Sequence, residues 1–229
     1  MRASSLSGDR MAKRRVAILI SGRGSNMAAL IGAARDPAYP AEIALVLSNR
    51  PAAAGLDTAR DAGLATAVVD HTGFGKDREG FERALQRELE AHRIDIVCLA
   101  GFMRLLTPWF VAQWHERMIN IHPALLPAFK GLNTHERALA AGAKTHGATV
   151  HFVVPEMDSG PIIAQAAMAV RDDDTPDALA ARVLALEHQI YPMALRLVAQ
   201  GRVHIEEKRC RIDGAVAGDG SLIVPSAAS

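Results

Sequence analysis

Two stretches constrain the fold before anything else: "RVAILIS" near the start and "IDIVCLAGF" from residue 94. Neither alternates apolar with polar residues. A strand with one wet face would show that alternation, and a strand covered on both faces does not. The first run is followed by a glycine turn and the helical stretch "MAALIGAARD". The same order recurs: "EIALVLSN" precedes "AGLDTARDAG", and "ATAVVD" precedes "DREGFERALQRELEAHR". In that charged helix Phe81, Leu85 and Leu89 recur every four residues, giving one apolar stripe. A helix around "PWFVAQWHE" leads to a further strand, "MINIHP". This alternation predicts an α/β chain: an open, mostly parallel twisted sheet with helices on both faces.

The pattern changes from "GATVHFVVPEMDSGPIIAQAAMAV" onward. "TVHFVV" and "PIIAQAAMAV" are strands joined by a Gly/Asp-rich loop, which predicts antiparallel pairing at the edge of the sheet. A long helix follows over "TPDALAARVLALEHQIYPMALRLVAQG", capped near Thr175 with Pro176 at its first position. "RVHIEEKRCRIDG" reads as a last hairpin. No internal repeat and no low-complexity linker appears.

Composition narrows the class. The 229 residues, 49% of them hydrophobic, suffice for one sizeable core. A formal net charge of +1 supplies no field toward nucleic acid or membrane. The basic run Lys13-Arg14-Arg15 reads as a solvated end. There are two cysteines; Cys98 lies inside a strand as a small hydrophobe, and no disulfide or metal framework is suggested, so a cytoplasmic location is expected. No apolar run reaches the length of a membrane span. The leader "MRASSLSGDRMAKRR" lacks the apolar core of a secretory signal, and Met11 offers an alternative start.

The chemistry-bearing residues fall at strand ends. After the first strand comes "GRGSN", a glycine turn opening a helix near Asn26. Its backbone amides and the helix dipole suit an anion such as phosphate, although a tight strand-to-helix connection explains the glycines equally well. In "INIHP" the side chains of Asn120 and His122 point to one face, and Pro123 keeps His122 extended. An amide and an imidazole at the carboxyl end of a strand can stabilise an oxyanion and supply an acid. The alternative is a buried histidine satisfied by a neighbour. Asp158, in "PEMDSGPI", either makes a local turn bond or sits against His122 and relays a proton. His135 and His146 show no metal-ligand spacing; His151 lies on a strand and can face the site.

Taken together, "ISGRGSN", "VLSNR", "LAGFMRLL", "INIHPALLPAFKG", "HGATVHFV", "DSGPII" and "EHQIYP" resemble the folate-dependent phosphoribosylglycinamide formyltransferases, in family order over roughly residues 15 to 205. The resemblance implies a Rossmann-like formyltransferase fold as a single domain over 14–213, with a flexible extension at 1–13 and a tail at 214–229. It implies that Gly24, Ser25 and Asn26 hold the phosphate of the ribonucleotide and that Glu187 meets the glycinamide amine. Asn120, His122 and Asp158 match the catalytic trio. Arg78, Met103, Arg104, Leu105, Leu106 and Asn120 match folate contacts, as does the loop Val154, Pro155, Glu156, Met157 and Asp158. The co-substrate implied is 10-formyltetrahydrofolate, with no metal, no nucleic acid and no membrane partner, in a monomer or homodimer. Ala124 stands where a serine is common, and Asn133 at a variable position. Two relatives of the superfamily compete. Formyltetrahydrofolate deformylase carries an added N-terminal domain and methionyl-tRNA formyltransferase a C-terminal RNA-binding barrel; a chain of this length is expected to carry neither. A non-catalytic folate- or nucleotide-binding module is the remaining alternative.

Overall fold

The computed structural model describes residues 12–214. Of the expected extension and tail, residues 1–11 and 215–229 lie outside the described residues. Seven strands form one sheet: β1 (Arg14–Ile20), β2 (Ala41–Ser48), β3 (Thr66–Val68), β4 (Ile96–Leu99), β5 (Met118–His122), β6 (Thr145–Phe152) and β7 (Ile162–Ala169). Their order is β3-β2-β1-β4-β5-β6-β7. The first five are parallel; β6 runs antiparallel to β5, and β7 antiparallel to β6. The mostly parallel sheet with an antiparallel edge is the architecture the sequence predicts.

Both-face burial explains the unbroken apolar runs. In β1, Val16, Ile18 and Ile20 enter one core while Ala17 and Leu19 enter the other. The first core is covered by α1 (Ser25–Ala34), α2 (Gly55–Asp61) and α6 (Pro176–Ala199), through Met27, Leu30, Leu56, Leu179, Val183 and Tyr191. The second is covered by α3 (Arg78–Ala91) and α4 (Pro108–Gln113), where Phe81, Leu85 and Leu89 form the stripe read from the sequence. Helix α6 starts as expected: Thr175 caps it by accepting from the Ala178 amide, and Pro176 follows. A short helix, α5 (Thr134–Ala140), has no counterpart in the sequence reading. β8 (Val203–Glu206) and β9 (Arg209–Ile212) form the expected hairpin.

The chain leaves β1 for β2 and β3, then returns to β4 on the other side of β1. Strand order therefore reverses between β1 and β4, which opens a crevice beyond their carboxyl ends. The segments that follow β1, β4 and β5 converge there.

Candidate active site

The helix after β1 begins without a side-chain cap. Gly24 stands at the N-cap with φ 72° and ψ 36°. That left-handed conformation costs glycine little. It leaves the first amides of α1 without a capping oxygen, as an anion site requires. Asn26, one residue into α1, turns inward and donates from Nδ2 to Glu187 Oε2 at 2.5 Å. Glu187 comes from α6, so this corner joins residues 161 apart. Burial raises the Glu187 carboxyl above the usual carboxylate range, opposed by the Asn26 bond. Asn26 Oδ1 is buried with no partner, an acceptor that a ligand hydroxyl or amine can satisfy.

At the end of β5, Asn120 lies opposite His151 of β6. His151 donates from Nδ1 to the Phe152 carbonyl at 2.8 Å, so its Nε2 is the acceptor for Asn120 Nδ2 at 3.2 Å. One hydrogen of the Asn120 amide is used there, and the second remains for a ligand. Burial holds His151 below the ordinary histidine value, outweighing the Phe152 carbonyl and Asp158. Its neutral form suits this accepting role.

His122 is 5% exposed. Its Nδ1 is 3.5 Å from Asp158 Oδ2, and its Nε2 donates to the Phe129 carbonyl at 3.0 Å. Asp158 has a left-handed φ of 50°, accepts the Gly131 amide at 2.8 Å and stands 3.8 Å from His151 Nε2. Gly160 is required just behind it: a Cβ there would lie 1.8 Å from the Phe152 carbonyl oxygen. The aspartate therefore faces both histidines. The segment after β5 closes over them through two backbone groups, Phe129 C=O and Gly131 N–H. A cavity of about 360 Å³ opens beside Asp158, lined by Leu126, Pro127 and Lys130 and by Lys208 of the hairpin turn.

The segment after β4 makes a second wall. Met103 and Leu105 are 61% and 65% exposed, and Met157 in the loop after β6 is 51% exposed. Leu106 and Val153, at the bases of the two walls, pack against the same core. Arg78 donates to the Leu105 carbonyl at 2.7 Å. Ser25, Arg78, Pro155 and Glu156 are exposed, whereas Arg104 and Val154 are half-buried. Sequence reasoning named the side chains here but missed Phe129, Gly131 and the pairing of His151. The first two act through backbone, and the third depends on strand register.

Beneath the closing segment, His146 of β6 is 1% exposed and faces His135 at 3.3 Å and the Phe129 ring at 6.0 Å. Burial first, then His135, pushes His146 down to about 4; His135 and His151 are also lowered by burial. A histidine held neutral in the fold takes up more protons when unfolded. Stability therefore falls as pH drops from about 6.5, the unfolded value, toward 4. Urea midpoints measured across that range should show this slope, and His146→Gln should flatten it. An unchanged slope in the variant would refute the assignment.

Among the described residues, no group of three or more His, Cys, Asp or Glu side chains is arranged to hold a metal, and no helix is long and apolar enough to cross a membrane.

The site thus sets an amide, two histidines and an aspartate between an uncapped helix start and an exposed apolar segment. The family model described as formyl transferase matches residues 14–195, and the chain belongs to that family. Within it, the phosphoribosylglycinamide formyltransferase of Escherichia coli is 43% identical over 199 residues, covering 87% of this chain and 93% of its own length. The glycinamide ribonucleotide transformylase 1 structure from Symbiobacterium toebii superimposes with a TM-score of 0.85 at 45% identity, over 87% of this chain and 94% of that one. The trifunctional purine biosynthetic protein adenosine-3 of Bos taurus is 51% identical over 195 residues, 85% of this chain. The chain spans only 19% of that much longer relative.

Proposed function

We propose that this chain transfers the formyl group of 10-formyltetrahydrofolate to the amine of 5-phosphoribosylglycinamide, a step of purine biosynthesis. The observation that carries this reading is the position of the polar cluster. Asn120 and His122 of β5, His151 of the neighbouring β6 and Asp158 of the loop after β6 meet in one cluster, flanked by the uncapped start of α1 and by the exposed apolar wall of Met103 and Leu105. One flank suits a phosphorylated sugar and the other a flat, largely apolar ring.

In this mechanism the α1 amides hold the phosphate, and Glu187 with Asn26 receives the glycinamide end. Asn120 gives its second amide hydrogen to the oxyanion that forms when the amine attacks the formyl carbon. His122 offers Nε2–H to the same oxygen once that oxygen replaces the Phe129 carbonyl. Asp158, facing His122 Nδ1, takes up the proton released by the attacking nitrogen and passes one toward the departing folate nitrogen. No covalent enzyme intermediate is needed.

The test is direct. Purified protein is incubated with both substrates and the formylated ribonucleotide is sought by mass, beside a tube lacking ribonucleotide. Product only in the complete tube is expected. Folate deformylation without acceptor would make the chain a hydrolase, and no turnover in either tube would leave a binding module.

A further inference from the structure

Residues 100–107 have no helix or strand of their own, yet they carry the exposed Met103 and Leu105. Their backbone groups need other partners. Side chains supply several of them. Ser21 Oγ accepts the Met103 amide at 2.8 Å, and its own hydroxyl donates to Asn49. The main chain of Leu19 and Ser21 satisfies Ala100 N–H and Gly101 C=O, and further side-chain partners come from one face of α3. Arg78 donates to the Leu105 carbonyl at 2.7 Å. Glu82, four residues on, accepts the Thr107 amide at Oε1 at 2.6 Å and the Thr107 hydroxyl at Oε2. Gln86, four further, accepts Trp114 Nε1 at 2.8 Å. Spacing of four residues places all three on one face of the helix.

The middle rung is the unusual one. Glu82 is 1% exposed, in a helix that is otherwise charged and wet on its outer side. Both of its oxygens are used by one residue, Thr107. Thr107 in turn caps α4, its hydroxyl oxygen facing the Phe110 amide. A buried carboxyl group is costly unless its partners are in place. It is an uneconomical way to hold a surface loop, and a specific way to fix one in position.

We infer that Glu82 is a positioning residue for the folate substrate: through Thr107 it sets the wall formed by residues 103–106. The inference rests on the reading of that wall as the folate pocket. Glu82 touches no substrate; it holds the segment in its binding shape before the ligand arrives. Loss of that order is expected to weaken folate binding while leaving the ribonucleotide side, 24–26 with 187, unchanged.

The experiment compares wild type with Glu82→Ala, Glu82→Gln and Thr107→Val. Thr107→Val keeps the shape and buries no new charge, so it serves even where Glu82→Ala folds poorly. Two readouts are taken. Tetrahydrofolate is titrated against tryptophan fluorescence; the chain's two tryptophans, Trp109 and Trp114, are both on or beside α4. KM is then measured for each substrate in turn. Glu82→Ala and Thr107→Val should raise the tetrahydrofolate Kd and the folate KM about tenfold, the weight of one or two buried hydrogen bonds. The ribonucleotide KM should stay within about twofold, and Glu82→Gln, which still accepts the Thr107 amide, should recover most of the loss. An unchanged folate Kd in Thr107→Val, or equal rises in both KM values, overturns the inference alone. Failure of the wild type to bind tetrahydrofolate overturns the folate reading itself, and the inference with it.

Discussion

Asp158→Asn and His122→Ala should each lower turnover by about a hundredfold or more, while the protein remains folded. The two side chains face each other at 3.5 Å, and each has a backbone partner from the segment that closes over the site. Asparagine preserves the shape of Asp158 and can still accept the Gly131 amide. It cannot take a proton from the attacking amine. Removing the imidazole deletes a donor to the oxyanion and leaves Asp158 with only the Gly131 amide and His151 beside it. Because the pair acts as a unit, the double variant should be scarcely slower than either single one. Single-turnover rates on the two variants and their combination check this. Near-wild-type turnover in either, or fully multiplicative losses, would remove the pair from the mechanism.

Gly24→Val should act on the other substrate. Gly24 has φ 72°, and a Cβ there would lie 3.0 Å from Met27 Cε and 3.4 Å from Gly55 Cα. A β-branched residue in that conformation costs about 1–3 kcal/mol of strain. The turn can relieve it by rotating away, which carries the first amides of α1 out of alignment. The ribonucleotide KM is expected to rise about tenfold or more, and the folate KM to stay within about twofold. A two-substrate kinetic matrix separates them. Equal changes in both constants would mean that the turn is structural and that the phosphate lies elsewhere.

The layered sheet was legible because burial on both faces leaves a mark in every residue of a strand. "RVAILIS" and "IDIVCLAGF" became β1 and β4, neighbours at the centre of the sheet. Thr175 and Pro176 gave the start of α6 because a helix N-terminus has a chemical signature. Helix α5 left none: it is seven residues long, opens at Asn133 with a left-handed φ of 55°, and shows no apolar stripe. In the candidate site, Asn120, His122 and Asp158 were nameable as side chains. The Phe129 carbonyl and the Gly131 amide were not, since any residue carries them. The pairing of Asn120 with His151 follows from ladder register, which no local pattern specifies. Glu82 was hidden for a different reason. Its neighbours Phe81 and Leu85 mark the buried stripe, and a glutamate beside them in so charged a helix reads as solvated.

Helix α6 has a consequence for how the molecule is made. It is the last helix among the described residues, yet it covers the same core as β1, through Leu179, Val183, Ile190 and Tyr191, and its Glu187 completes the corner begun at Asn26. During synthesis β1 to β5 leave the ribosome long before their cover does. Until residue 199 has emerged, one face of the central strands has no partner from this helix. The nascent chain thus carries the part of this apolar sheet face that α1 and α2 leave uncovered through most of its translation, and its final collapse waits on a contact spanning 161 residues.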